Sequence, residues 1–231
     1  MAVNDGGEGL VTMSVPADAA PAKPLLRGAV HEAAFWLSLL SGTLLVVGAA
    51  GARQAAAAAV FAASMTTCFG ISALYHRRTW RPSVRLWMRR ADHAGVYLLI
   101  AGTYTPVALL VLQGAWRPVI LIVVWSGAIA AIVLKFVWVA GPKWLAAAIA
   151  LALGWVAVAA LPQLAVRLDP VALTLLVLGG LAYTVGAVVY VRRRPDPAPL
   201  VFGYHELFHV LTVIAAGLQY AAIAFFVVGI G

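Results

Sequence analysis

Charge is what this sequence has least of. Only 10% of its 231 residues are Asp, Glu, Lys or Arg, against about 25% in soluble domains, while 64% are hydrophobic and the mean hydropathy is +0.97. That balance excludes a water-soluble fold. Acidic residues are scarcest, eight against sixteen basic ones. In an apolar chain the resulting +8 argues for basic loops held on the cytoplasmic side of a membrane, and no nucleic-acid partner is expected. Cysteine is almost absent, and a lone Cys68 excludes an intrachain disulfide. Residues 1–22 contain no basic side chain ahead of an apolar core; they are rich in Ala, Gly and Pro and carry Asp5, Glu8 and Asp18. They read as a disordered tail, not a secretory signal peptide, which leaves 23–231 as one membrane domain.

Long apolar runs are abundant. A helix needs about 20 apolar residues to cross the hydrocarbon. Seven segments meet that need, near Ala33–Ala50, Ala55–Tyr75, Asp92–Leu112, Pro118–Val139, Trp144–Leu164, Pro170–Val191 and Tyr204–Ile230. Gly51-Ala52-Arg53, Gly114-Ala115-Trp116, Gly141-Pro142-Lys143, Asp169-Pro170 and the Pro195–Pro199 run punctuate them. The expected fold is all-α, an integral membrane bundle of seven transmembrane helices. With the N-terminus in the cytoplasm, the inner segments hold Lys23, Arg27, Arg77, Arg78, Arg81, Arg85, Arg89, Arg90, Lys135, Lys143, Arg192, Arg193 and Arg194. The outer segments hold only Arg53, Arg117 and Arg167. The alternation holds through every loop and places the C-terminus outside. Trp80, Trp87, Trp116, Trp138 and Trp144 fall near helix ends, where an interfacial aromatic belt belongs.

The chemistry-bearing residues converge at one depth. His205 and His209 lie four apart at the start of the seventh span, on one helical face. The same topology puts His76 at the inner end of the second span and Asp92 at the inner start of the third. Ionisable groups in a bilayer need partners, and paired imidazoles suggest a shared metal ion. Three neutral imidazoles with a water make a catalytic-type zinc site. Asp92 is placed to accept a proton from water there. Ser72 is one turn before His76 on the same face, within reach of the site. Cys68 is a further turn away, about 12 Å from His76 by helical rise, and reads as buried filler. Glu206 points about 100° away from His205 and is the weaker carboxylate candidate. His31 reads as an interface residue and His93 as interfacial or hydrogen-bonded. The six arginines from Arg77 to Arg90 read as an anchor for anionic lipid heads. Gly179, Gly180 and Gly186 read as helix-packing positions.

Several separated motifs, in order, resemble the bacterial hemolysin III family. They are Ser72-Ala-Leu-Tyr-His76, Arg90-Ala-Asp92-His93, Leu99-Ile-Ala-Gly-Thr-Tyr-Thr-Pro106, Gly179-Gly-Leu-Ala-Tyr-Thr-Val-Gly-Ala187 and His205-Glu-Leu-Phe-His209, with Lys23 to His31 like its opening segment. The resemblance runs from about Lys23 to the end. It implies kinship with the progestin and adipoQ (adiponectin) receptors and with the CREST hydrolases, which include alkaline ceramidases. It also implies a multi-pass protein of the bacterial inner membrane, with zinc ligands at His76, His205 and His209, Asp92 holding the water and Ser72 nearby. Many relatives carry Glu and Asn ahead of the first-helix histidine, whereas Arg27-Gly-Ala-Val-His31 has neither.

Three functions follow as expectations. The first is a zinc-dependent hydrolase acting on a lipid amide, ceramide-like by analogy, with Asp92 and Ser72 as catalytic residues and a membrane lipid as substrate or ligand. The second is a receptor-like or regulatory membrane protein whose zinc ties helices together. The third is a hemolysin or pore, which would need polar residues aligned on helix faces; Gln54, Gln113, Gln163 and Gln219 are not so aligned.

Overall fold

The computed structural model describes residues 23–229; the expected tail at 1–22 lies outside the described residues. Among those residues seven helical spans are long and apolar enough to cross a membrane, and the protein is a multi-pass membrane protein. The helices are α1 (Ala29–Val47), α2 (Ala52–Arg77), α3 (Pro82–Leu110), α4 (Trp116–Val137), α5 (Lys143–Gly154), α6 (Leu161–Arg167), α7 (Pro170–Arg192) and α8 (Tyr204–Ala222). Together α5, a 3-10 turn (Val156–Ala160) and α6 make the fifth span, and a π-helical stretch (Ile223–Val228) completes the seventh.

Sequential neighbours pack together, α1 on α2, α2 on α3, α3 on α4 and α7 on α8, and α1 also touches α8. The centre of the bundle is α2 and α3, whose most apolar windows are 56% and 61% buried against 11–33% for the others. Outer faces stay greasy. On α1, Leu37, Leu40, Leu44 and Val47 are all more than half exposed, a stripe at helical spacing turned to lipid. Small residues let the helices close. A Cβ on Gly102 of α3 would fall 1.8 Å from the Ser64 hydroxyl of α2, so this crossing requires glycine. Gly179 packs on Gln219 and Ala215 of α8, and Gly186 on Leu211 and Phe208, as small residues do at membrane-helix interfaces.

Two span expectations are corrected. Helix α3 begins at Pro82, ten residues before Asp92. Arg85, Arg89 and Arg90 depress hydropathy there, yet arginine is a good helix former and Pro82 sits at a favoured first-turn position. Asp92 is therefore held within the helix, not at its start. The fifth span is not one helix: it breaks after Gly154. A break in hydrocarbon exposes backbone polar groups that must be satisfied. Tyr104 of α3 does this, donating its hydroxyl hydrogen to the Gly154 carbonyl at 2.7 Å and accepting from the Ala157 N–H at 2.8 Å. Trp155 Nε1 adds a bond to Thr184 Oγ1 at 3.1 Å. At the other end of the bundle, Gln163 accepts from the Gln113 N–H and Gln113 from Arg167. These two glutamines tie a loop.

Candidate metal centre

The last turn of α2 and the first two turns of α8 meet at the basic end of the bundle. His76 and His205 bring their Nε2 atoms to 3.2 Å. His209, one turn along α8, completes a trio whose ligand atoms all lie within 4.8 Å of one another. Two ligands of a tetrahedral zinc with bonds of about 2.0–2.1 Å sit about 3.3–3.4 Å apart, so the His76–His205 edge already has that spacing. Three buried or half-buried imidazoles whose ring nitrogens converge fit a divalent metal. Nδ1 of His209 is buried without a hydrogen-bond partner among the described residues.

Asp92 approaches from α3, its Oδ2 3.7 Å from His76 Nε2, with side chains only 8% (His76) and 12% (Asp92) exposed. Ser72, buried one turn below His76, lies beside that carboxylate. Of the five residues singled out from the sequence, Ser72, Asp92, His205 and His209 line one pocket, and His76 sits against His205, His209 and Asp92. Cys68 is buried and stands outside the trio.

The scaffold holding these groups starts before α1. Gly28, at φ +84°, caps α1 directly over His76; a Cβ there would lie 2.6 Å from the His76 Cβ. A left-handed residue is needed at that position, and any side chain would push on His76. Lys23 Nζ donates to the His76 carbonyl, and Arg27 Nε pairs with Glu206. Leu25 and Leu26 bond to the carbonyls of Leu200 and Val201 at 2.9 and 3.1 Å. This clasp joins the end of α2 to the start of α8. Partial burial, then the nearby charges of Arg27, Arg77 and Arg85, hold the Lys23 ammonium below the usual lysine range. Glu206 is wholly buried; besides Arg27 it accepts the Gly203 N–H at 2.9 Å, capping α8. Its carboxylate is thereby committed to structure, and Asp92 is the free acid of the site.

His31 is the residue that sequence reasoning misplaced. Expected at the interface, it is 3% exposed and its ring stacks on His209 at 3.8 Å, 9° from parallel. Neither of its ring nitrogens has a hydrogen-bond partner among the described residues. Stacking fixes the tilt of the His209 ring. One signal was available: His31 closes the Lys23 to His31 segment of the resemblance, but nothing in its spacing says which helix it faces. His93 lines the cavity next to Asp92.

That cavity, of about 170 Å³, begins at Ser72, Asp92 and His205 and reaches Thr103, Tyr104, Gly154 and Gln219. From Asp92 to Tyr104 the rise along α3 is about 18 Å. Its walls are largely apolar: Val96, Leu99, Ile100, Ala147, Ala150 and Phe208 among others. A polar, metal-competent end joined to an apolar shaft suits an amphiphile lying along the bundle.

A family model described as Haemolysin-III related matches residues 20–220. The chain is 30% identical over 169 residues to the Hemolysin-3 homolog of Bacillus subtilis (strain 168), a span covering 73% of this chain and 76% of that protein. It is 29% identical over 168 residues to Hemolysin-3 of Bacillus cereus, covering 73% and 74%.

Proposed function

The chain belongs to the hemolysin III family, and on that premise we propose that it is a zinc-dependent hydrolase of a membrane lipid amide. The observation that carries the reading is the meeting of three imidazoles, one uncommitted carboxylate and one hydroxyl at the end of an apolar cavity. The thirteen-to-three bias of basic residues supports placing that end at the cytoplasmic face, so substrate enters from the inner leaflet.

His76, His205 and His209 would hold zinc, which when bound supplies Lewis acidity and makes water acidic enough to attack at neutral pH. The chain's own residues do the rest. Asp92 accepts the proton of the attacking water and returns it to the departing amine. Ser72 donates a hydrogen bond to the oxygen that gains charge at the scissile carbonyl. The apolar shaft holds the acyl chain and excludes bulk water, so the carbonyl is presented at a fixed depth. Resemblance to the ceramidase-containing CREST group supports an N-acyl lipid as the substrate class.

A second reading, a metal that only fastens α2 to α8, is favoured by the clasp of Lys23 and Arg27, which joins the same two helix ends. The two separate on one experiment. Zinc-loaded protein and its Asp92→Asn variant are incubated with N-acyl lipids and the matched O-acyl esters, and released fatty acid is quantified by mass spectrometry. Release by the wild type that falls at least about 100-fold in Asp92→Asn, the scale of general acid–base catalysis, supports the hydrolase. No release from any lipid by fully metallated protein refutes it.

A further inference from the structure

Among the described residues Lys135 is the only lysine or arginine buried in the bundle, at 5% exposure. It continues the inward stripe Ile120, Val124, Ala128 and Ala131 of α4. A lysine two residues from a helix end has an easy path to water, since its long stem lets the ammonium reach the interface. Lys135 lines the cavity that also holds Asp92 and His205.

Five other cations at this end have partners. Arg27 has Glu206, Arg77 has Glu32 at 2.7 Å, and Lys23 has the His76 carbonyl. Lys143 lies 4.6 Å from the centre of the Tyr190 ring and 3.4 Å from the Tyr204 hydroxyl. Arg90 stacks over Trp87 at 4.7 Å. Lys135 makes no ion pair with a carboxylate among the described residues. A cation on the wall of a largely apolar cavity without a counter-charge is unfavourable, and membrane proteins keep such groups for ligands.

We propose that Lys135 binds an anionic headgroup, carboxylate or phosphate, of a membrane amphiphile whose chain fills the apolar shaft. The ammonium and the metal ligands come from different walls, α4 against α2 and α8. An acyl lipid can therefore place its anionic group at Lys135 and its carbonyl at the histidines. The inference rests on the cavity being a lipid site, as in the proposed function, and adds the charge of the headgroup.

The test is binding, which needs no turnover. Wild type, Lys135→Met and Lys135→Arg, purified in a neutral detergent, are titrated with oleate, oleoyl lysophosphatidate and monoolein, which share one acyl chain. Methionine removes an unpaired buried charge at similar volume, so the variant should fold. Lys135→Met should weaken at least one anionic probe about tenfold or more, the scale of a charge-assisted hydrogen bond. Monoolein should be unaffected, and Lys135→Arg should retain the anion. The probe that loses affinity identifies carboxylate or phosphate. Unchanged anion affinity in Lys135→Met overturns the inference, as does an equal loss of monoolein, which would make Lys135 a wall and not a charge reader. Tight wild-type monoolein binding without preference for either anion overturns this inference alone; failure of all three probes to bind overturns the lipid reading as well.

Discussion

Replacing Arg27 with methionine should expose how the site is clamped. Glu206 has 0% side-chain exposure and Arg27 21%, so the pair is dry on the acid side and partly wet on the basic side. Without Arg27 the carboxylate keeps one hydrogen bond, from the Gly203 N–H, and stays out of reach of water. Breaking a buried pair from one side costs about 3–5 kcal/mol. For a chain of this size each kcal/mol moves the melting midpoint by about 2–4 °C, so the apparent Tm should fall by about 6–20 °C. Solubilised membrane proteins often unfold irreversibly, so half-lives at fixed temperature should accompany the scans. The double variant Arg27→Met with Glu206→Gln removes the charge together with its partner and should recover most of the loss. A single-variant drop below about 3 °C, or a double variant no better than Arg27→Met, would refute the claim that this pair is a buried clamp.

The remaining predictions concern metal, proton transfer and packing. His209→Ala should strip the metal from purified protein, measured by elemental mass spectrometry, and lower thermal stability because a cross-link between α2 and α8 is lost; full metal content in the variant would remove His209 from the ligand set. Asp92→Ala should retain the metal while abolishing hydrolysis, and joint loss of both would make Asp92 a ligand and end its role as proton acceptor. Tyr104→Phe should destabilise by about 1–3 kcal/mol, read as a fall in Tm, because it strands the Gly154 carbonyl and the Ala157 N–H; a neutral effect would mean that the break in the fifth span is satisfied otherwise.

Span count and the meeting of the histidines were legible because hydropathy and basic-residue bias act over whole segments. Pairing at i and i+4 on α8 is local geometry, and the depth of His76 follows from counting spans. What stayed hidden depends on contacts between helices. The start of α3 was missed because Pro82–Arg90 is polar helix projecting from the apolar core, and hydropathy registers only the apolar part. The fifth-span break was invisible because Ala146–Ala160 is uniformly apolar; the group that satisfies it is a tyrosine on another helix, about fifty residues earlier in the chain. His31 looked like an interface residue by depth alone. Its burial comes from the packing of α1 along α2 and against α8, which no single-helix pattern encodes. The same holds for Arg27, whose pairing with Glu206 across the bundle neutralises that buried carboxylate.

The account depends on one ion between two helix ends. Crystals or grids prepared from zinc-replete protein, with anomalous or elemental contrast at the zinc edge, test it most directly. It predicts one zinc per chain within about 2.0–2.3 Å of a ring nitrogen from each of His76, His205 and His209, with Asp92 beyond bonding distance. No peak between those rings, or a zinc bonded elsewhere in the chain, would contradict it.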